Sequence, residues 1–550
     1  MKKLIYGLTI AAGMVLATSC TEKLDELLEN PNAVNANTAS PDFLLNSIQL
    51  NYQSHWYGIS DRGARLTRQI NQGAALYEAA YSAGATNGTW SNSYANILAD
   101  IKFLMPLAEK GNLQRHMGIA KTIKAMVLMD LVDTYGDVPY SEALNESNFN
   151  PKVDNGQAIY AEAFKILNEA SVHFTVATSG GSPNDYFYNR NYTNWNRLVN
   201  TLKLKYFLTT KSVDKAASTA GINALIAGNA LITTGGDFVF RFGTTAADPD
   251  SRHPKFGQYT AGGGDYQSTH FMHHLTVEKG FDDPRVRYYL YRQVLTNTTN
   301  VDEQECVSQI APPHYLIGNY PYCNPAGNKG YWGRDHLDPD GIPPDGLKRT
   351  AYGVFPVGGR FDNNSATPVN NPALGNKGAG IHPIMLAAYV DFMLAEAALT
   401  LGTTGNAKTL LLSGIQKHMD YVRAFAVAGA EGALISAFEP AATFTGRVTN
   451  YKNYVSTQYD AATSDDARLN VIGTEYWLSL YGNGKESFDL YRRTGKPNRM
   501  QPALEAIPGP FVRSFLYPLN YIVSNSNAKQ KQNLAVQVFW DKNPASPWIY

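Results

Sequence analysis

The sequence predicts a mainly α protein, with an α-solenoid or tetratricopeptide-like helical core and a long loop-rich ligand face. Three observations lead there. Apolar residues recur at three- and four-residue spacing through most of 41–234 and again through 384–481, the mark of helices with a buried face. Those helical stretches come in pairs joined by short turns, as stacked helical hairpins do. Between them, from 235 to 383, Gly, Pro, Asn, Asp and Tyr crowd the chain and helical periodicity nearly disappears. A loop region that long in a compact protein is functional or disordered, and its aromatic residues argue against disorder. At 550 residues, 44% of them hydrophobic, the chain can bury a large core.

Taken in order, the chain opens on a leader. Lys2-Lys3 precede an apolar run from Leu4 to Ala17, too short to cross a bilayer core, which takes roughly 20 residues. Residues 1–19 therefore read as a signal peptide. Ala17-Thr18-Ser19-Cys20 resembles a bacterial lipobox. That makes Cys20 the lipidated first residue of the mature chain, tied to a membrane by its acyl chains. Leu16 stands one place further from the cysteine than in the commonest pattern. The acidic string after Cys20 resembles the surface-export signals of Bacteroidetes lipoproteins. Residues 20–40 are polar and read as a tether, ahead of a single domain over 41–550.

Within that domain an N-terminal helical layer covers 41–234. Pro41-Asp42 opens a helix through Phe43, Leu44, Ile48 and Leu50, and a second follows near 62–80. A third spans about 90–110, with Ile97, Ile101, Leu104 and Leu107 as its stripe and Gly111 as its end. The most informative stretch is 117–143. Ile119, Ile123, Met126, Val127 and Leu131 line one helix face. Gly136 and Pro139 stop that helix. The turn then presents Asp133, Tyr135, Asp137 and Tyr140, and Ser141-Glu142-Ala143 looks like the start of another short element. Helices at 159–170 and through Trp195, Leu198, Val199, Leu202 and Tyr206 complete the layer. In the loop-rich insertion, 235–383, only 267–279 and 284–293 look helical. C-terminal helices and a tail fill 384–550, at 384–399, apolar nearly all round, then 410–428, 452–461 and 468–481. The tail from Phe511 is irregular.

Basic and acidic residues balance at 47 each, so there is no basic excess to hold a phosphate backbone. That argues against nucleic acid as a partner. Cys306 and Cys323 share one loop-like region. In an exported chain they form a disulfide or remain two free thiols, and the sequence leaves both readings open.

Six strings, in order, resemble those of SusD/RagB-type outer-membrane lipoproteins. They are Pro31-Asn32-Ala33, Asp137-Val138-Pro139-Tyr140, Phe281-Asp282-Asp283-Pro284-Arg285, Leu394-Ala395-Glu396-Ala397, Tyr491-Arg492-Arg493-Thr494-Gly495 and Tyr517-Pro518. One departure is Glu486-Ser487-Phe488, where the family often has Glu-x-Trp. The resemblance implies a tetratricopeptide-containing body that lies as a lid over a SusC-like, TonB-dependent β-barrel transporter in the outer membrane. The lid captures a nutrient, commonly a glycan and sometimes a peptide, and does no covalent chemistry. The solenoid expectation rests partly on this resemblance, because no strict 34-residue repeat is visible. Two rival readings are a secreted glycan hydrolase and a structural, adhesin-type lipoprotein.

Candidate site residues follow. Tyr315, Tyr320, Tyr322, Tyr331 and Trp332 cluster near Arg334 in the insertion, and flat rings suit sugar C–H faces. Trp90 and Tyr94 are second candidates, by resemblance only. Arg492 and Arg493 read as structural, with one guanidinium pairing Glu396, which stands in an otherwise apolar helix. His270, His273 and His274 share a helix face but lack a convergent carboxylate or the HExxH pattern. Asp335, Asp338 and Asp340, before Gly341, are weak calcium candidates. His336 and Leu347 break the EF-hand pattern. No cofactor motif stands out, and Gly262-Gly263-Gly264 lacks the Lys and strand context of a phosphate loop. No nucleophile–base constellation is visible, while a hydrolytic carboxylate pair is a spatial feature that the sequence does not reveal.

Overall fold

The computed structural model describes residues 40–261, 264–324, 327–340 and 343–544. The leader, Cys20, the tether with Pro31-Asn32-Ala33, and Gly262, Gly263 and Gly341 lie outside them. No helix among the described residues is long and apolar enough to cross a membrane.

Helix α1, Pro41–Leu66, is one element where the sequence suggested two. Pro41 opens it, at a position that needs no N–H donor. Leu45, Ile48, Tyr52, Trp56, Ile59 and Gly63 then form an unbroken buried stripe, so nothing near 50–62 stops the helix. The break comes at Arg68, with φ 56°, and one short helix, Tyr77–Ala80, follows. The next helix starts at Asn87–Ser91, passes through a π-helical stretch, Asn92–Leu98, and continues as α2, Ala99–Lys110.

Helix α3, Gln114–Tyr135, is buried almost all round. It packs on α4 (Gly156–Thr175), α4 on α5 (Tyr192–Thr209), and α5 on α6 (Lys215–Ala227). The expected stop after α3 is present, with Gly136 at φ 80°. Asp137 accepts from the Gly156 N–H at 2.7 Å, at the start of α4. Asp154 accepts from the Tyr140 and Ser141 N–H groups at 2.8 and 2.7 Å. Ser141-Glu142-Ala143 forms bends and a turn, not a helix.

Two small sheets organise the insertion. Strand β1 (Phe238–Arg241) pairs antiparallel with β4 (Ile381–Met385), and β2 (Leu290–Tyr291) with β3 (Ala351–Tyr352). The first sheet clamps the two ends of the insertion together. It also replaces the start of the helix expected from 384, since Ile381, Pro383 and Ile384 favour extended backbone. Helix α7, Thr269–Thr276, is shorter than expected. The stretch 284–293 divides into a short helix, Val286–Tyr289, and β2.

Helix α8, Ala387–Leu401, ends at Gly402 and turns tightly into α9, Ala407–Val427. Helices α10 (Ala441–Ala461) and α11 (Asp465–Ser479) follow. Helix α12, Gly484–Thr494, was not foreseen. It touches α1 backbone to backbone, since a Cβ on Gly63 would lie 2.1 Å from the Gly484 carbonyl oxygen. Only a glycine pair permits that approach.

Charged residues of α12 are buried and paired. Lys485 Nζ reaches Asp133 at 2.5 Å, Asp489 at 2.7 Å and Asp130 at 3.1 Å. Lys205 meets Glu486 at 2.6 Å and Asp489 at 3.2 Å. Arg492 donates to Asp489 at 2.9 Å. Arg493 forks onto both oxygens of Glu396 at 2.8 and 2.9 Å, and Lys211 joins at 2.8 Å. The structural reading of the Arg pair thus holds. Burial alone would raise the Glu396 pKa, but Arg493 and Lys211 hold it at about 2.

The insertion fills its own interior in the same way. Arg285 is fully buried and donates to both oxygens of Asp283 at 2.9 and 2.8 Å. Asp335 accepts from the Cys323 N–H at 2.9 Å and from Gln501 Nε2 at 2.8 Å. Burial nevertheless pushes its pKa up to about 7.

Two outcomes follow from these buried charges. Arg493→Met leaves Glu396 with Lys211 alone and is expected to cost about 3–5 kcal/mol of unfolding free energy. Glu396→Leu with Arg493→Met should recover more than half of that loss in urea unfolding. Asp335 has the opposite sign. Its folded pKa is raised, so the stability contributed by the neutral acid is complete below the unfolded value of 3.8 and is lost as pH rises through about 7. Asp335→Asn should therefore gain on the wild type progressively across that window. A stability difference that ignores pH would refute this.

Candidate functional site

Cys306 and Cys323 form a disulfide, with Cα atoms 5.7 Å apart. The loop it closes contains a short helix, Pro313–Gly318. That helix lies against the segment 499–511, which follows α12. Tyr315 OH donates to the Pro502 carbonyl at 2.9 Å, His314 Nε2 lies 2.9 Å from the Ala503 carbonyl, and Arg499 donates to the Gly318 carbonyl at 2.7 Å. Between the two segments opens a cleft of ≈ 620 Å³, whose lining includes His314, Ile317, Tyr320, Glu505, Pro508 and Phe511.

The walls are mostly apolar. Ile317, 88% exposed, faces Pro502, Ala503, Ala506 and Pro508 of the opposite segment across the cleft. The half-buried Tyr320 ring is steadied by the Arg499 guanidinium 5.6 Å from its centre. Phe511 forms the back wall, edge-on to Tyr77 at 5.6 Å. The Tyr77 N–H donates to the Pro508 carbonyl at 2.9 Å, which pins the opposite loop. Glu505 is exposed and makes no hydrogen bond or ion pair among the described residues.

Of the aromatic residues singled out in the sequence, Tyr320 lines this cleft and the others do not. Trp332 and Tyr315 are fully buried, and Tyr331 nearly so. The Trp332 N–H donates to Thr350 Oγ1 at 3.0 Å, and Tyr331 OH donates to Asp362 at 3.2 Å beneath the Arg292 guanidinium. Tyr322 is half-buried, its hydroxyl donating to Gln309 at 3.1 Å. Arg334 is buried, donates to the Asp340 carbonyl at 2.9 Å and stacks over Tyr266. These placements correct the expectation that Trp332, Tyr331, Tyr315 and Arg334 face a ligand. An insertion with few strands must pack its own interior, and these side chains do so.

Trp90 and Tyr94 sit elsewhere, in a buried aromatic knot. Trp90 meets Tyr94 at 4.8 Å, Tyr521 at 4.6 Å and Tyr135 edge-on at 5.1 Å. Tyr94 OH donates to the Pro139 carbonyl at 2.7 Å. Together they tie the π-helical stretch to the turn after α3 and to the tail.

Two of the three calcium candidates, Asp335 and Asp338, are engaged by protein donors, while Asp340 is exposed and bonds through its backbone. Both Asp335 oxygens accept hydrogen bonds, as described, and Asp338 accepts from the Asp340 N–H at 3.0 Å. Among the described residues no three His, Cys, Asp or Glu side chains gather as a metal site. His270 and His274 pack on Trp477 at 5.8 and 5.0 Å, and His274 pairs with Glu278. The loop at 502–511 escaped sequence reasoning. Its signal was Pro508-Gly509-Pro510, a rigid turn next to the apolar Ile507.

A family model described as "Starch-binding associating with outer membrane" matches residues 31–309. A second, described as "Susd and RagB outer membrane lipoprotein", matches 364–544. A SusD homologue from Bacteroides fragilis NCTC 9343 superposes with a TM-score of 0.64 at 19% identity, covering 92% of this chain and 100% of its own. A structure titled "chitin-binding protein" gives 0.62 at 20% identity, with 92% and 100% covered. A chitin-binding SusD homologue from Flavobacterium johnsoniae gives 0.60 at 17%, with 90% and 99% covered. No curated protein matches the chain. At such identities the structural likeness shows the fold, the tetratricopeptide-like helical fold of SusD homologues. With the first model covering half of the sequence and the second most of the rest, the chain belongs to the SusD/RagB family.

Proposed function

We propose that this chain is a surface-exposed, lipid-anchored outer-membrane protein that captures an oligosaccharide between 313–320 and 502–511. It delivers the ligand to a SusC-like TonB-dependent β-barrel. The observation that carries the reading is the cleft itself. It is open, ≈ 620 Å³ in volume and walled largely by apolar side chains, with two positioned aromatic rings, Tyr320 and Phe511. Small-ligand sites span about 300–1,000 Å³. Sugar C–H faces pack on Tyr320, Ile317 and Phe511, while hydroxyls reach Glu505 and His314.

Two structural neighbours titled as chitin-binding support a saccharide. The family descriptions support an outer-membrane lipoprotein, and a leader ending at Cys20 supports the anchor. Capture is favoured over hydrolysis by the lining. Glu505 is its one carboxylate among the described residues, whereas glycoside hydrolysis ordinarily takes two.

Calorimetry of the chain without residues 1–20 tests this, against chitin and malto-oligosaccharides and a peptide panel, with product analysis of each hit. Saccharide binding without turnover is expected, and Tyr320→Ala should weaken it about fivefold or more. Trp332→Ala should instead lose about 3–5 kcal/mol of stability, with the folded protein binding as before. Turnover would replace the reading with the hydrolase. Full affinity in Tyr320→Ala would move the site out of this cleft.

A further inference from the structure

We propose a second ligand site, for an uncharged polyhydroxylated ligand such as a stretch of saccharide chain, in a cleft between 281–287 and 438–450. This cleft shares no lining residue with the first, and its volume is ≈ 650 Å³. The choice of saccharide rests on the function proposed above. The site itself stands on three features of its own walls.

The first is a pair of exposed but immobilised rings. Phe281 and Phe438 are 38% and 40% exposed. Phe281 is held edge-on by Tyr454 at 5.5 Å and Tyr451 at 6.2 Å. Phe438 is held by Phe361 at 5.7 Å and by the Arg287 guanidinium at 5.0 Å. Rings already fixed in place lose little entropy when a ligand covers them.

The second is charge pairing within the wall. Arg447 pairs with Glu439 and donates to the Asp283 carbonyl at 3.2 Å. Arg287 donates to the Asp362 carbonyl and to Asn364 at 2.8 and 2.9 Å. Asp282 meets Lys329 at 3.3 Å. The wall's charges are thus already paired with protein groups and offer no spare ion to a charged ligand, while a neutral one leaves every pair intact.

The third is a row of hydrogen-bonding groups. Thr443, Arg447 and Asn450 stand at i, i+4 and i+7 on α10, so they follow one helix face into the cleft. Thr443 and Asn450 are exposed, and neither side chain has a hydrogen-bond partner among the described residues. Seven residues rise about 10 Å along a helix, roughly the length of two linked sugar rings. One hydroxyl and one amide at that spacing, beside two ring faces, match a neutral saccharide in extended form. Two clefts on one chain would also favour long chains over short ones by tethering.

The test uses the full-length protein in lipid nanodiscs, with chitohexaose and maltoheptaose as probes and calorimetric stoichiometry as the readout. The wild type should bind at least one of them at two sites. Tyr320→Ala should keep one site. Phe438→Ala and, as a surface change that spares the fold, Asn450→Ala should each weaken that remaining site about fivefold or more when added to Tyr320→Ala. If neither sugar binds the Tyr320→Ala protein, or if Phe438→Ala and Asn450→Ala leave its affinity unchanged, the second site is overturned. If Tyr320→Ala changes nothing while Phe438→Ala abolishes binding, the first cleft fails and this one stands.

Discussion

The structure depends on the buried charges around α12. Five basic side chains, Lys205, Lys211, Lys485, Arg492 and Arg493, face five carboxylates, Asp130, Asp133, Glu396, Glu486 and Asp489. Their residues come from α3, α5 and the short turn after it (Thr210–Ser212), α8 and α12, on both sides of the insertion. In so dry a place a single unpaired member would be strongly destabilising. Apolar side chains of similar size could supply as much stability. What the ion web requires is that α3, α5, α8 and α12 meet in this arrangement, since each charge finds its partner on another of these elements or one turn away. It brings the helices before and after the insertion into one body, and the Gly63–Gly484 contact fixes how closely α1 approaches.

The first cleft stands on that body at two points. The Arg68 guanidinium, just past α1, donates to the Gln501 carbonyl at 2.8 Å, and Tyr77 pins Pro508. The segment 499–511 thus leaves α12 and is at once fastened to the end of α1. The facing helix, 313–318, belongs to the insertion, whose ends are clamped by β1 and β4 and whose loop is closed by Cys306–Cys323. Two irregular segments far apart in sequence are thereby held at a fixed separation, as a binding site built from loops requires.

The helices with plain apolar stripes were legible in the sequence. α3, α5 and α9 appear where periodicity placed them, because burial of one face is a local pattern. Helix α12 was hidden by its composition. Lys485, Glu486 and Asp489 carry no apolar stripe to mark a buried helix, and only partners on other elements make their burial tolerable. Such pairing is non-local, although Glu396 in an apolar helix did announce its need for an arginine. The boundary at 384 failed for a related reason. A short apolar run is equally compatible with helix and strand, and the pairing of Phe238 with Met385 decided for strand. The aromatic cluster of the insertion was visible as a cluster. Which ring faces solvent was not, since Tyr320 and Trp332 differ only in what the surrounding loops place over them.

If the chain captures a ligand as proposed, it must also release it, and the lining of the proposed cleft suits release. Its lining is largely apolar and open to solvent, without a cage of charge-assisted hydrogen bonds. The arginines nearby have other occupations, Arg499 on Tyr320 and on the Gly318 carbonyl, and Arg513 on Asp541. Binding then draws on stacking and area, which give modest affinity and rapid release. Strong, fully desolvated polar grips would slow transfer to a transporter, because affinity among related sites is set mainly by the off-rate. The stiffness of the scaffold and the weakness of the grip therefore serve one purpose. On the function proposed above, a cleft whose two walls are fastened to the helical body needs little binding energy for ordering, and a weakly polar wall suits a ligand that is held and then released.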